Sequence, residues 1–431
     1  MRRQGAGPAS YNRPVSPNEP SRTQPGSVAS PPQPAPASGL DRPGATPAAS
    51  PDSVALLHRI ASVIEDEGGW IGFERYMALA LYSPGLGYYS RGDRQFGALP
   101  GRDGQPGSDF ITAPELSRLY GRALARQVAQ ALRALPAGTP REVWEFGAGS
   151  GALAAQLLAG LADEGVTVER YTIVDLSGAL RERQRRTLAE RVPSWADRVR
   201  WVTQLPDAFD GVVVANELLD AIPVLLLHFD GHGWFERGVA LQPGSVAAGA
   251  PVLVWADRPT ALRAPVEDIP WPPGTVIELP RQAEAWVRTL AASLRCGAAF
   301  LVDYGFPAHE FYHPQRHAGT LVCHRAHRVD ADPLEAPGDK DITAHVDFTA
   351  IALAAQDAGM DVLGYTSQAR FLINCGIVGD LAEADLRERA AAQKLITEHE
   401  MGELFKVLAL ASAGLPLDPI GFVAGDRSHT L

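Results

Sequence analysis

Val143-Trp144-Glu145-Phe146-Gly147-Ala148-Gly149-Ser150-Gly151 decides the fold. A short apolar strand runs into a glycine loop, and the apolar, helix-favouring stretch Ala152 to Leu161 follows. Glycines at 147, 149 and 151 permit a sharp turn and leave backbone N–H groups open to a ligand. The loop opens on a helix N-terminus, which carries partial positive charge and unpaired donors. In a strand–loop–helix unit of this kind a nucleotide-like ligand is expected. Glycine spacing alone does not name it.

Downstream of Glu142 the pattern alternates strands and helices. Tyr171–Asp175, Val199–Val202, Gly211–Glu217 and Ala298–Gly305 read as strands, with helices over about 178–190 and 281–295. Continuous apolar runs such as Val212–Ala215 suit strands buried on both faces of a parallel sheet. The expected fold class is therefore α/β, with a mostly parallel, doubly wound, Rossmann-like sheet. Residues 224–279 alternate short apolar runs with Gly and Pro turns and read as a small antiparallel insertion. Residues 306–345, rich in His, Pro and Gly, read as a long functional loop with little regular structure. The chain is expected to close with a helix near 346–358, a strand at 360–365, a helix over 380–412 and a tail over 416–431.

Upstream, residues 52–135 read as a helical preamble packing on a core that spans 136–415. Asp52 or Ser53 is the expected cap of the first helix. A second helix follows over Phe73 to Leu81, then the turn-rich Ser83–Tyr89 and a Gly- and Arg-rich loop over 91–108. A single strong helix is expected after Pro114, with Leu116, Leu119, Leu124, Val128 and Leu132 on its buried face. Residues 1–51 hold Pro, Ala, Ser and Gly with almost no large apolar side chains, a composition that predicts disorder. Their Arg content resembles a transit peptide, but the proline density opposes the amphipathic helix such a peptide needs.

The 431 residues carry a net charge of −11, which argues against a nucleic-acid binder. The first 50 residues hold five Arg against Glu19 and Asp41, so the acid lies in the body of the chain. Cys296, Cys323 and Cys375 are dispersed and odd in number, which predicts neither a disulfide framework nor a paired zinc motif. No apolar run reaches the ~18–20 residues of a membrane span. These features predict a soluble protein of a reducing compartment, the cytoplasm, or the mitochondrial matrix if the source is eukaryotic. Oligomeric state is not legible.

Three strand ends carry acids: Glu145, Asp175 and Glu217. Ligands of open parallel sheets bind at the carboxyl ends of the strands. Asp175, 28 residues after Gly147, stands where a carboxylate accepts from a ribose diol. Gly147-x-Gly149-x-x-Ala152 also satisfies a lax dinucleotide fingerprint, so a nicotinamide oxidoreductase is a rival reading. Glu145 favours S-adenosylmethionine instead, because an acid there faces a cationic ligand end and repels a pyrophosphate. Glu145, Gly147, Ala148, Gly149, Gly151 and Asp175 are the candidate cofactor residues. Asn216, Glu217 and Asp220, in Asn216–Pro223, supply an amide and two acids that would hold a cationic acceptor and take up its proton. Cys323-His324-x-x-His327 invites a metal reading, but no fourth ligand stands at a usual spacing, so none is expected.

Six ordered stretches, Ser83–Tyr89, Asp109–Glu115, Glu145–Gly151, Asn216–Val224, Asp303–Gly305 and Gly319–Phe348, resemble the MidA-like family of class I methyltransferases. The last contains Gly319-Thr320-Leu321, Cys323-His324, His327 and Asp341-Ile342-Thr343-Ala344-His345-Val346-Asp347-Phe348. The resemblance spans roughly residues 54–415. It implies S-adenosylmethionine as methyl donor and, following the family's mitochondrial branch, a protein arginine as acceptor, with respiratory complex I as a candidate partner. It draws Glu115, Asp303 and Tyr304 in as substrate-binding candidates beside the polar His345 and Asp347. Where the family often ends its second strand in Glu, this chain has the shorter Asp175. A third reading keeps the fold but not the catalysis: a cofactor-binding assembly factor that binds its partner through 306–345.

Overall fold

Residues 49–91, 112–247, 249–266, 269–325, 328–330 and 332–431 are described by a computed structural model. Asp109–Ile111, His327, the tail up to residue 48 and the 92–108 loop lie outside them. Ala49–Leu431 forms one compact unit. Its large sheet has seven main strands, β1 (Glu142–Phe146), β2 (Arg170–Val174), β3 (Val199–Val202), β4 (Phe209–Asn216), β5 (Leu294–Phe306), β6 (Met360–Ser367) and β7 (Phe405–Ser412). They lie in the order β3-β2-β1-β4-β5-β7-β6. Strands β1 to β5 pair in parallel, while β7 runs antiparallel to both β5 and β6. The 3-2-1-4-5 run is that of a doubly wound Rossmann sheet, and its order reverses between β1 and β4, where such sheets open a ligand crevice.

The strands partition their side chains with period two. Val143, Val212 and Val214 join the core under helices Arg118–Ala134 and Ala152–Asp163. Trp144, Val213 and Ala215 face the opposite core, with helices Arg281–Ser293 and Phe348–Asp357. Burial on both faces is what the uninterrupted apolar runs required. The insertion is antiparallel as expected: Leu225–Phe229, Trp234–Leu241, Leu253–Pro259 and Thr275–Leu279 form a sheet. A strand that the sequence reading missed, Trp70–Gly72, joins it from the helical preamble. Helices Pro51–Asp66 and Phe73–Tyr82 pack against this sheet through Leu56, Ile60, Tyr76 and Met77.

Several expectations are corrected. The first helix is capped by Ser50, whose hydroxyl accepts from the Ser53 amide, because Pro51 takes the first helical turn. The helix after Pro114 is two: Ala113–Leu116 stops at Ser117, which is extended and caps Arg118–Ala134. Residues 306–345 carry a three-stranded sheet of Val322–Arg325, Arg328–Asp330 and Asp341–Thr343. The long helix expected over 380–412 is absent: Ile377–Glu383 and Leu386–Ile396 are short helices, and the chain then turns into strand β7. In β7, Phe405, Val407, Ala409 and Ala411 face one core and Leu408 and Leu410 the other, a doubly buried strand that its apolar run does not distinguish from a helix. The C-terminal 416–431 is no loose tail, since Leu417 and Phe422 are buried and Phe422 packs on Phe371. Among the described residues no helix is long and apolar enough to cross a membrane.

Candidate functional site

At the carboxyl ends of β1, β2, β4 and β5 lies a cavity of 1010 Å3. That is the upper end of the roughly 300–1,000 Å3 typical of small-ligand sites. Its described lining holds six carboxylates, Glu115, Glu145, Asp175, Glu217, Asp220 and Asp341, and no Lys or Arg. Such a donor set suits cations.

One half is the glycine loop and its surroundings. Gly147, Gly149 and Gly151 have φ of 65°, 51° and 84°, in the left-handed region. A Cβ on Gly151 would lie 3.1 Å from the Gln184 Cα, so side chains are excluded there by space as well as by conformation. Ser150 donates to the Glu115 carboxylate, which places Glu115 over the glycine loop rather than among the acceptor-side groups. Asp175 follows β2, and its carboxylate accepts from Ser177 N at 2.8 Å and from Gln184 Nε2 at 2.7 Å. Burial still pushes the Asp175 carboxyl up, against those bonds. Gln184 also bonds the Gly149 carbonyl and receives Trp201 Nε1, so one fully buried amide ties the loop to Asp175. Sequence reasoning missed Gln184. Its signal was a polar residue on the stripe of Leu180 and Leu188 at helical spacing. Glu145 is buried on β1 and accepts from Tyr171 Oη at 2.7 Å; burial pushes it up to about 7, opposed by that bond. Leu176 stands 74% exposed at the rim, apolar surface left open beside Asp175.

The other half is assembled from distant segments. Glu217, just past β4, holds φ of 52°, a strained conformation for a side-chain-bearing residue. Its carboxylate accepts from Asn216 Nδ2 at 3.1 Å and from the Ala113 amide, while Tyr120 Oη donates to Asn216. Burial, then the neighbouring Asp220, pushes Glu217 up to about 8. Asp220 is pushed up to about 6 by burial, restrained by a bond from the Tyr304 hydroxyl. Its Oδ1 is buried with no hydrogen-bond partner among the described residues, and so is His345 Nδ1. Burial, with Arg316 and Lys406 adding, pushes His345 down to about 4, so the ring is neutral at pH 7. Tyr304 and His345 meet edge to face at 5.0 Å.

Among the sequence candidates, Glu115, Glu145, Gly147, Ala148, Gly149, Asp175, Asn216, Glu217, Asp220, Tyr304 and His345 all line the cavity, and Gly151 stands behind the loop against Gln184. Asp303 and Asp347 do not. Asp303 is buried beneath the Asn216–Pro223 loop, accepting from Leu219 N at 2.8 Å, Asp220 N at 3.2 Å and Tyr304 N at 2.9 Å. It shapes the loop instead of facing a substrate. Asp347 caps the helix Phe348–Asp357 through Ala350 N. His324 lines the cavity, and among the described residues no group of three or more His, Cys, Asp or Glu is placed to hold a metal. Tyr82, Tyr89 and Asp341, which sequence reasoning did not single out, line the acceptor half.

The comparisons with known proteins agree on the chemistry. A family model described as "Putative S-adenosyl-L-methionine-dependent methyltransferase" matches residues 123–366, more than half of the chain. A Burkholderia thailandensis protein crystallised bound to S-adenosyl-homocysteine superposes with a TM-score of 0.83 at 52% identity, covering 89% of this chain and 100% of that one. The mitochondrial protein arginine methyltransferase NDUFAF7 of Danio rerio is 28% identical over 83% of this chain and 86% of its own length. Its Caenorhabditis elegans homologue is 27% identical over 84% and 88%. The left-handed glycine cradle and a described lining with six carboxylates and no Lys or Arg fit a nucleoside with a cationic sulfonium, and the nicotinamide reading is set aside. S-adenosyl-L-methionine is the cofactor, and the chain belongs to this family of S-adenosyl-L-methionine-dependent methyltransferases.

Proposed function

We propose that this protein methylates an arginine side chain of a partner protein. One observation carries the acceptor: the buried Asp220 Oδ1, without a hydrogen-bond partner among the described residues, in a cavity half whose described lining has carboxylates but no Lys or Arg. A buried acceptor atom left without a donor is costly, and a guanidinium offers five N–H donors in a fixed fork. The relatives named protein arginine methyltransferases support the same choice.

In this reading the loop Gly147, Ala148, Gly149 and Gly151, with Glu145, holds the amino-acid part of the cofactor, and Asp175 the ribose hydroxyls. S-adenosylmethionine supplies a methyl group already activated on a sulfonium. The chain's own residues therefore position the acceptor and exclude water. Glu217 and Asp220 hold the guanidinium, and Asn216, braced by Tyr120, orients Glu217. Neutral arginine is not available in water at pH 7, so the nitrogen must shed its proton as the methyl arrives. Glu217, pushed up to about 8, is a base matched to that step near neutral pH. The paired Glu217 and Asp220 carboxylates receive the proton and release it to solvent.

We place the protein in the cytoplasm on its three dispersed, odd-numbered cysteines, with the mitochondrial matrix as the alternative that the relatives' names suggest, and a respiratory complex I subunit as the first acceptor to test. Mass spectrometry of basic peptides from cells with and without the protein tests this. Methylarginine on a partner protein should vanish with the gene. Methylation lost only from lysine or from carboxylates would overturn the arginine reading.

A further inference from the structure

Tyr82 ends the helix Phe73–Tyr82, whose other large apolar side chains are buried, yet it is 37% exposed and lines the cavity. Its ring stacks on that of Tyr89, with centroids 5.6 Å apart and planes 20° from parallel. Both rings are fixed by their hydroxyls. Tyr82 Oη donates to the Ala221 carbonyl at 2.8 Å, on the loop that carries Asp220. Tyr89 Oη donates to Asp341 Oδ1 at 2.9 Å, on the edge of the three-stranded sheet. The aromatic pair is thus held between the Ala221 carbonyl and the Asp341 carboxylate, from segments far apart in the chain, and Asp220 and Asp341 line the same cavity. Burial, with Asp341 and Asp220 adding, pushes the Tyr82 hydroxyl up.

We propose that the Tyr82–Tyr89 pair, with Asp220 and Asp341, forms a flat wall that selects a planar guanidinium over an ammonium. The proposal rests on the arginine reading above and adds the residues that choose the side chain. An aromatic face attracts a cation, and a planar guanidinium stacks on it while leaving its in-plane N–H groups for carboxylates. A lysine ammonium, compact and strongly hydrated, gains the charge but not the stacking or the fork. The orphaned Asp220 Oδ1 is an acceptor to which such an N–H would donate. The helical preamble is on this account a specificity element, since it supplies Tyr82 and Tyr89.

The test uses the full-length protein saturated with S-adenosyl-homocysteine and three probes: the Nα-acetyl methylamides of arginine, lysine and citrulline. Binding is read by ligand-observed NMR. The arginine probe should bind about tenfold more tightly than the lysine probe, and citrulline, planar but uncharged, should not bind measurably. Tyr82→Leu should bring the arginine-to-lysine ratio close to one with S-adenosyl-homocysteine affinity retained. Tyr89→Phe, which keeps the ring and gives up the Asp341 bond, should lower the ratio in part, and it decides the matter should Tyr82→Leu fail to fold. A ratio unchanged from wild type in folded Tyr82→Leu, or in Tyr89→Phe in its place, overturns the wall alone. A wild-type protein that binds lysine as well as arginine overturns the arginine reading and the wall with it.

Discussion

On the glycine-loop side of the cavity, Asp175 and Glu145 are held in place by protein donors, Ser177, Gln184 and Tyr171. On the acceptor side, Asp220 Oδ1 and His345 Nδ1 have none among the described residues, and Glu217 sits on a strained backbone. In the reading proposed above, the first half is pre-organised for one ligand: protein donors orient its carboxylates, which keep further lone pairs for the cofactor. On the same reading the second keeps acceptor atoms open, at a cost in stability, for a side chain that arrives with its own donors.

That contrast gives ways to separate the halves by mutation. Gly151→Val should have the largest effect. It forces a β-branched residue to a φ of 84° and a Cβ to 3.1 Å from the Gln184 backbone. S-adenosyl-homocysteine affinity measured by calorimetry should fall at least about a hundredfold, following the loss of the cradle. Glu217→Gln should lower kcat about a hundredfold, the usual scale for losing an acid–base group, while S-adenosyl-homocysteine affinity stays near wild type. Equal loss of both in Glu217→Gln would erase the division between the halves.

Asp303→Ala leaves the amides of Leu219 and Asp220 without their acceptor. It should cost about 2 kcal/mol in urea unfolding and impair turnover more than cofactor binding, because the acceptor loop loses its brace. A substrate-facing Asp303 would instead change KM without changing stability.

The pH response is subtler. Glu217 ionises near 4.5 in its ordinary state and at about 8 in the folded protein. Between those values the folded state holds a proton that the unfolded chain has given up. The stability this contributes is complete below about 4.5 and is lost as pH rises through about 8. Thermal unfolding of the ligand-free protein should therefore fall across pH 5–8, and Glu217→Gln should flatten that slope. In activity the sign reverses: kcat/KM should rise toward pH 8 as Glu217 becomes a base. A flat profile in both would separate Glu217 from proton transfer. Tyr120→Phe, which removes only the brace on Asn216, should have the smallest effect, a few-fold loss of kcat.

The two halves also differ in how far the sequence announces them. The cofactor half is nearly contiguous: Glu145 to Gly151 lie on one loop, and Asp175 ends the next strand, so local pattern is enough. Gln184 was legible too, as an amide on an apolar stripe. The acceptor half is made by convergence. Tyr89 and Asp341 bond across 252 residues of chain, and nothing local in Ser83–Tyr89 says what its aromatics will face. Asp303 and Asp347 show the reverse error. Nothing in the sequence separates an acid that faces a site from one buried beside it, and these two carboxylates cap a helix and hold a loop. In the sheet, β7 was lost because an eight-residue apolar run has no period that separates strand from helix; only its place between β5 and β6 does.

The most direct test is methyl transfer itself. Purified protein, S-adenosylmethionine labelled in the methyl group and an extract from cells lacking the protein should yield label in a protein, recovered after hydrolysis as methylarginine, and Glu217→Gln should slow its incorporation about a hundredfold. Label recovered as methyl-lysine or as a methyl ester, or undiminished in Glu217→Gln, would contradict the account.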